Sequence, residues 1–152
     1  MTTKFTTQLL TDYYSGKMSK YRVGTDKTKV YILVGTDLVV VVPKKDFIFD
    51  IRKVFKGCGK IPDTGIQTLK DWSKSATELR YTHSYHSFTD SLNKSTDVFA
   101  TLEGVTFNVP RHSLLTLTAH PYSVKAAAHD GPIVVFDEES GLVGFIAHPV
   151  KL

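Results

Sequence analysis

Positive charge is the chemistry that this sequence concentrates most clearly. Six Lys and Arg residues lie between positions 44 and 60, where the acidic residues are Asp46 and Asp50. Ammonium and guanidinium groups attract phosphate oxygens without requiring a particular base sequence. The segment has two interpretations, a solvated surface and a phosphate-binding one, and the second makes it the candidate nucleic-acid contact. Its basic residues are Lys44, Lys45, Arg52, Lys53, Lys56 and Lys60.

The same segment predicts the most regular helix of the chain, over residues 44–56. Its apolar residues recur with the spacing of one helical face, and Gly57 and Gly59 follow as a stop signal. The basic side chains would then occupy the other face. The apolar positions are Phe47, Ile48, Ile51, Val54 and Phe55.

Histidine is the other residue type that could support chemistry. His83 and His86 point to opposite faces of a strand, so they are poor ligands for one metal ion. The sequence lacks the HExxH, GxSxG and GxxxxGK[ST] motifs of metalloproteases, serine hydrolases and P-loop proteins. We therefore predict a protein that is not an enzyme and has no cofactor. The six histidines are His83, His86, His112, His120, His129 and His148.

Cys58 is the single cysteine, which excludes an intrachain disulfide and a zinc site built from cysteines. Nearby lysines would lower the pKa of its thiol if the side chain were exposed. Residues 57–60 have the composition of a phosphate-binding loop, but they follow a predicted helix C-terminus, where the helix dipole repels anions. With no identified histidine partner, Cys58 favours a structural role.

Aromatic and basic residues alternate after position 79. Tyr81, Tyr85 and Phe88 are interleaved with Arg80 and His83 along a predicted strand. Such a face can stack the bases of single-stranded nucleic acid. Aromatic residues at a two-residue period are also the ordinary packed face of a sheet. The sequence leaves both interpretations open.

Length and composition set the broad class. A chain of 152 residues with 41% hydrophobic and 22% charged residues is typical of one globular domain, which we expect to span residues 1–152. The net charge of +4 permits an anionic partner. The sequence shows neither the roughly 18 apolar residues of a membrane helix nor a secretory signal. With one cysteine, these features predict a cytoplasmic protein that does not bind a membrane.

A valine-rich hairpin is the clearest β element. Residues 29–34 and 38–42 are β-branched runs, and the three residues between them include Gly35, which suits a tight reversal. Both runs carry apolar residues at odd and at even positions, so we expect the hairpin to be covered on both faces. From Thr77 onward the chain predicts mainly short strands, with a hairpin turn over residues 138–141. The expected fold class is α+β, a mostly antiparallel sheet with one or two helices packed on it.

Two stretches are less regular. Residues 1–20 predict either a short helix or a loosely packed arm. Residues 60–77 predict a loop-rich insertion that contains a short helix marked by Ile66, Leu69 and Trp72. Trp72 would offer a contact for oligomer formation.

A short pattern occurs twice, 67 residues apart, over residues 42–48 and 109–115. In each copy, a predicted apolar strand is followed by proline, two basic or potentially basic residues, a capping residue and two apolar residues. Proline presets φ for a first helical turn. If the match is not a coincidence, it predicts two related βα halves with positive charge on each helix, which adds Arg111 to the candidate nucleic-acid contacts.

The C-terminal segment resembles the last hairpin of DNA polymerase sliding clamps. It has a strand led by Pro132, an acidic turn at Glu138 and Glu139, an aliphatic strand and the tail Pro149-Val150-Lys151-Leu152. The similarity covers residues 131–152. It implies a single clamp-like domain, since clamp domains consist of two βαβββ halves whose basic helices surround duplex DNA. It also implies that Pro149, Val150 and Leu152 contribute to a groove for a partner, such as a replication or host protein.

Clamps are rings of six such domains, so one domain per chain would require six subunits. The sequence-based hypothesis is a non-enzymatic accessory protein of DNA metabolism, of phage origin, that binds duplex DNA and forms homo-oligomers. The alternative is a structural or assembly protein of phage type, a symmetric homo-oligomer that does not bind nucleic acid.

Overall fold

The computed structural model describes residues 1–88, 94–127 and 132–147, and only the backbone of residues 86–88 and 94. These residues form one α+β domain with four α-helices and eleven strands, mostly antiparallel. None of the described helices combines the length and the apolar character that crossing a membrane requires. The helices are α1 Thr3–Tyr14, α2 Ile51–Val54, α3 Asp63–Ser75 and α4 Arg111–Leu117. The strands are β1 Tyr21–Thr25, β2 Lys29–Val34, β3 Leu38–Pro43, β4 Gly59–Lys60, β5 Thr77–Glu78, β6 Arg80–Phe88, β7 Lys94–Ala100, β8 Thr106–Pro110, β9 Tyr122–Ala126, β10 Ile133–Asp137 and β11 Gly141–Ile146.

The large sheet joins two three-stranded meanders. Its eight strands run in the order β4-β1-β2-β3-β11-β10-β9-β5. The β1-β2-β3 meander and the β9-β10-β11 meander meet where β3 pairs antiparallel with β11. A helix precedes each meander, α1 in one case and α4 in the other. The domain therefore contains two units with the same order of elements, α-β-β-β, placed side by side.

The two helices lie on the same face of the sheet and touch each other. The Thr2 hydroxyl accepts a hydrogen bond from the Phe5 amide at 3.1 Å, which caps α1, and donates one to the Thr116 carbonyl oxygen of α4 at 2.6 Å. Lys4 Nζ lies 2.9 Å from His112 Nδ1. The N-terminal residues thus form a helix rather than a loose arm, because Phe5 and Leu9 are fully buried in the core.

The large sheet is covered on both faces, as the valine-rich hairpin predicted. Val40 and Val42 of β3 point into a core shared with α1, α4 and the small sheet β6-β7-β8. Val39 and Val41 point into a second core beneath α3. The alternation of side chains along a strand distributes one apolar run between two layers. The predicted strands of the hairpin and the turn at residues 138–141 are confirmed.

The predicted helix over residues 44–56 is wrong. A 3-10 turn, Lys44–Asp46, is followed by extended backbone at Phe47, with φ −83° and ψ 104°, and then by the four-residue helix α2. Phe47 and Phe49 both pack against the first core, whereas Ile48 between them is 75% exposed. Apolar residues with the spacing of one helical face thus reach the core from an irregular segment, because packing of the two aromatic rings outweighs helix propensity.

Residues 60–77 do not form a loop-rich insertion. They contain the thirteen-residue helix α3, flanked by the short strands β4 and β5. Ile66 and Leu69 are buried against the sheet, and the Trp72 ring lies 6.3 Å from the Phe145 ring, so Trp72 packs within the chain. The polar composition of α3 reflects a helix with one apolar stripe and a solvated face.

The 67-residue repeat predicts local structure correctly but not the symmetry of the fold. In both copies a strand ends at proline and a helical turn follows, after Pro43 and after Pro110. However, β3 lies in the middle of the large sheet, whereas β8 is a terminal strand of the three-stranded sheet. The equivalent units are instead α1-β1-β2-β3 and α4-β9-β10-β11, whose sequences show no obvious similarity.

Gly144 is required where β11 meets β3. A Cβ atom at this position would overlap the Leu117 side chain of α4 and the Val39 carbonyl oxygen of β3. We expect Gly144→Ala to lower the free energy of unfolding by about 1–3 kcal/mol, the usual cost of overpacking a core. Urea denaturation measures this change. Gly59→Ala is the matched control, because the nearest atoms are those of the flexible Arg22 side chain; an equal loss in both variants would contradict the prediction.

Asp26 organises the turn between β1 and β2. Its carboxylate accepts hydrogen bonds from the amides of Thr28 and Lys29 at 2.9 and 2.8 Å and from the Tyr31 hydroxyl at 2.9 Å. Lys70 Nζ of α3 lies 3.2 Å away. Burial alone would raise the pKa of Asp26, but these donors outweigh it and hold the pKa well below the usual range.

Because the pKa of Asp26 is lower in the folded than in the unfolded state, acid lowers the stability of the folded protein. The contribution of Asp26 is complete above its unfolded pKa of about 3.9 and is lost as pH falls through the lower folded value. We expect Asp26→Asn to lose roughly 1–3 kcal/mol at neutral pH and to flatten the decline in stability below pH 4. Urea midpoints measured from neutral pH to acid test this. Asp46→Asn, an exposed carboxylate, should leave the profile unchanged.

Candidate nucleic-acid interface

The six predicted basic residues of the segment 44–60 are all exposed. Lys44 and Lys45 lie on the 3-10 turn after β3, Arg52 and Lys53 on α2, Lys56 just after it, and Lys60 on β4. We call this stretch the basic segment. It is continuous in the chain and runs from the end of the central strand β3 to the terminal strand β4, past β2 and β1.

Aromatic residues fix the basic segment to the domain. The Phe47 ring lies 5.8 Å from Phe49 and 6.1 Å from Phe55, and Phe55 lies 6.2 Å from Tyr21 of β1. Asp50 accepts a hydrogen bond from the Arg52 amide at 3.0 Å and caps α2. The apolar side chains thus anchor the segment from below, and its Lys and Arg side chains extend into solvent.

Arg22 joins this surface from β1. The register places Arg22 opposite Gly59 and Val23 opposite Lys60, so the exposed Arg22 side chain crosses the glycine of β4. The basic segment together with Arg22 is the basic edge. Sequence inspection missed Arg22, because a residue 38 positions from Lys60 joins the surface only through the parallel β1-β4 pair.

The charge of the whole chain is strongly segregated. Residues 17–60 contain eleven of the nineteen Lys and Arg residues but four of the fifteen Asp and Glu residues. Since the net charge of the chain is +4, the rest of the chain is net negative. The positive potential is therefore a property of this part of the surface rather than of the protein as a whole.

The basic edge has no internal acidic partner among the described residues. The four side-chain ion pairs among the described residues involve other groups, and their N–O distances are 2.9, 3.2, 2.7 and 3.3 Å. They are Lys20–Asp12, Lys70–Asp26, Arg111–Asp97 and His120–Glu139. The cations of the basic edge are thus available to an anionic ligand without breaking a salt bridge.

Arg111 does not belong to the basic edge. It begins α4 and its guanidinium binds Asp97 of β7 through two hydrogen bonds, at 2.7 Å from Nη2 and 3.3 Å from Nε. The Asp97 hydrogen bond and charge raise the pKa of Arg111. Its charge is paired with that of Asp97, so Arg111 is not one of the unpaired cations that form the basic edge.

Arg111 instead lies at the centre of an aromatic surface. Its guanidinium carbon is 5.4 Å from the centre of the Tyr85 ring, and the Tyr81 ring is 5.4 Å from Phe99 and 4.9 Å from His83. Burial raises the pKa of Tyr122, the charges of Asp97 and Tyr81 raise it further and that of Arg111 lowers it, so Tyr122 lies within electrostatic range of these groups. We call Tyr81, Tyr85, Tyr122, Arg111 and Asp97 the tyrosine–arginine cluster.

The cluster differs from the platform that the sequence suggested. Arg80 faces the other side of β6, where it lines a cavity of about 390 Å³ with Glu78, Leu102 and Glu103. The Phe88 side chain lies outside the described residues. Tyr122 was missed because it lies on β9 of the large sheet, and no sequence spacing connects it with β6.

An irregularity in β6 shapes the cluster. Tyr81 is opposite Phe99 and Tyr85 is opposite Asp97, so five residues of β6 span the length of three residues of β7. His83 in the middle has φ of 62°, the positive φ that non-glycine residues rarely adopt. Such a conformation costs about 1–3 kcal/mol and is retained where the surrounding structure enforces it.

Cys58 is a structural residue at the base of the basic segment. Its Sγ donates a hydrogen bond to the Met18 carbonyl oxygen at 3.4 Å, and it is half-buried. Burial raises the pKa of the thiol, and the exposure that would let nearby lysines lower it is not present. Among the described residues, no group of three or more His, Cys, Asp or Glu side chains is arranged to hold a metal ion.

The paired helices α1 and α4 carry little of the positive charge. The exposed residues of α1 are Thr3, Thr7, Thr11 and Tyr14, and those of α4 are His112 and Leu115. The predicted partner contacts Pro149, Val150 and Leu152 lie outside the described residues.

The chain was compared with protein-family models, with curated proteins and with solved structures. None of the three comparisons found a significant match.

Proposed function

We propose that the protein is a non-catalytic accessory factor of DNA metabolism that binds the phosphate backbone of duplex DNA through its basic edge. The observation that supports this proposal is the concentration of unpaired cations on one anchored surface. Phosphate contacts of this kind give affinity and position without base-sequence preference. This is the behaviour required of a factor that acts along DNA rather than at one site.

The free energy of such binding comes from releasing counterions that surround DNA. A lysine already paired with a carboxylate contributes less, since the pair must be broken first. The cations of the basic edge have no such partner among the described residues. Their backbone is fixed by the Phe47–Phe55 contact, so binding requires ordering of side chains but not of the chain.

The order of elements supports a clamp-like domain as part of this proposal. β8-α4-β9-β10-β11 follows the βαβββ order of a clamp half, and α1-β1-β2-β3 follows its last four elements. The two helices lie together on one face of the large sheet, which fits clamp domains, whose helices line a hole around duplex DNA. The charge distribution differs, because α1 and α4 are nearly neutral on their exposed sides. The proposed DNA contact is therefore the basic edge and not the helix pair.

The proposal includes a partner and a location. By the resemblance, the C-terminal tail with Pro149, Val150 and Leu152 would bind a replication or host protein. A cytoplasmic location is consistent with the free thiol of Cys58.

A second candidate function is a structural or assembly protein that forms homo-oligomers. Exposed apolar side chains favour it: Ile48, Leu102 and Leu115 are 75%, 78% and 54% exposed. They lie on different elements, between β3 and α2, after β7 and on α4.

Pairing of sheet edges does not favour this second function. The terminal strands β4 and β5 of the large sheet have two residues each and are poor templates for pairing with another sheet.

Lys53→Glu is expected to weaken duplex binding and to lower the steepness of its salt dependence. The slope of log K against log salt is about −0.9 per phosphate contact, so losing one contact changes it by about one unit. Fluorescence anisotropy of a labelled duplex, titrated from about 50 to 200 mM salt, measures both quantities.

Lys74→Glu is the matched control for this experiment. Lys74 is also an exposed lysine in the last turn of a helix, but it lies on α3, on the opposite face of the large sheet. The two variants change net charge equally. If both weaken binding to the same extent, the effect is one of overall charge and the proposed interface is wrong.

Light-scattering mass, measured with and without duplex at two salt concentrations, is expected to separate the two candidate functions. A species that gains mass with DNA at low salt supports the accessory factor, and a hexamer would extend the clamp likeness to a ring. An oligomer that ignores DNA and persists as salt rises supports the assembly protein, because apolar interfaces strengthen under those conditions.

A further inference from the structure

We propose that the tyrosine–arginine cluster is a second nucleic-acid surface, which binds the bases of single-stranded nucleic acid by stacking. This site is independent of the basic edge. The two occupy different parts of the large sheet: β4 and β9 are separated by six strand spacings, and β3, which precedes Lys44 and Lys45, is three spacings from β9, or about 29 and 14 Å.

The first argument is exposure of large aromatic side chains. Tyr85 is 61% exposed, and Tyr81 and Tyr122 are each 41% exposed. They come from two different sheets, with Tyr81 and Tyr85 on β6 and Tyr122 on β9. The Tyr85 ring lies against the Arg111 guanidinium, Tyr81 is two register positions away along β7, and Tyr122 is within electrostatic range of Arg111, so three partly exposed rings share this part of the surface.

The second argument is that Arg111 is preorganised rather than free. Asp97 is nearly buried and holds the Nε and Nη2 side of the guanidinium, which fixes the guanidinium against the Tyr85 ring. The Nη1 group makes no hydrogen bond to the described residues. A planar cation held in this way can stack on a base and bind a phosphate oxygen through its remaining donors.

The third argument is the spacing created by the irregular β6. In a regular strand, residues four apart are separated by about 13 Å. Tyr81 and Tyr85 are instead opposite Phe99 and Asp97, which are two residues apart on β7, or about 7 Å. The rare backbone conformation of His83 produces this compression. The strain thus brings two tyrosines to a distance that neighbouring bases of one strand can span.

Single-stranded nucleic acid explains these features better than a protein partner does. Because Asp97 neutralises much of the Arg111 charge, the affinity of this site for nucleic acid would come from the aromatic rings and the remaining guanidinium donor rather than from charge alone. Stacking on aromatic rings does not depend on base identity, since every base has a π-face. Protein interfaces are also enriched in Tyr and Arg, so the observation that favours nucleic acid is the spacing of Tyr81 and Tyr85, which neighbouring bases of one strand can span.

Anisotropy titrations with a labelled thymidine oligonucleotide and an abasic oligonucleotide of equal length test the proposal. The two probes have the same phosphates but differ in their bases. We expect the wild-type protein to prefer the thymidine probe. Tyr85→Ala and Tyr122→Ala should each weaken binding of that probe roughly 5- to 150-fold, the range of one lost base–aromatic stack. Binding of the abasic probe should not change.

Two controls complete the design. Tyr14→Ala removes an 82% exposed tyrosine from α1, outside the cluster, and should leave the preference intact. Tyr85→Phe retains the ring and should retain most of the affinity. Equal binding of both probes by the wild-type protein, or equal losses in Tyr14→Ala and Tyr85→Ala, would overturn the proposal.

A measurement on the unmodified protein covers the case in which a variant fails to fold. Photo-crosslinking with an iodouracil-containing oligonucleotide should label Tyr81, Tyr85 or Tyr122, as identified by mass spectrometry. Crosslinks confined to the basic edge would refute the stacking site. The Lys53→Glu variant separates the two proposals, because it should lose duplex binding and keep the preference for the thymidine probe over the abasic probe.

Discussion

The antiparallel pairing of β3 with β11 is the contact on which the rest of the structure depends. Three residue pairs, Leu38–Ile146, Val39–Phe145 and Val40–Gly144, join the two meanders into one sheet. Gly144 allows this junction, since the Leu117 side chain of α4 occupies the space of its missing Cβ. The hydrogen bond from Thr2 to Thr116 links the two helices on the face that holds α4. Without this pairing, each α-β-β-β unit would expose one edge of a hydrophobic sheet.

The same junction determines where the two proposed binding surfaces lie. It places β1 and β4 toward one end of the large sheet and β9 and β5 toward the other. Arg22 and the basic segment therefore border the first meander, whereas Tyr122 borders the second. Each surface is completed by a second element of the fold: β4 pairs with β1 at the basic edge, and the small sheet supplies Tyr81 and Tyr85 to the tyrosine–arginine cluster. Both surfaces are thus products of how separate chain segments meet.

Four carboxylates of the domain are engaged by groups outside the basic segment. Asp12 accepts a hydrogen bond from the Tyr21 hydroxyl at 2.6 Å, and Asp137 accepts one from the Thr118 hydroxyl at 2.6 Å. Asp26 and Asp97 are likewise bound by internal donors. These four acidic groups stabilise turns and element contacts within the domain. The exposed lysines of the basic segment are consequently not neutralised by them.

The sequence by itself determined the α+β class, the valine-rich hairpin with two covered faces and the exposure of the six basic residues. These features depend on local composition, such as β-branched runs and clustered charge, and survive any arrangement of the elements. Only the tertiary structure decided that Phe47 and Phe49 interrupt the predicted helix, that Arg111 pairs with Asp97 and that Tyr122 joins Tyr81 and Tyr85. Each of these contacts joins residues far apart in the chain or replaces helical hydrogen bonds by burial of aromatic rings, and neither effect has a local sequence signal.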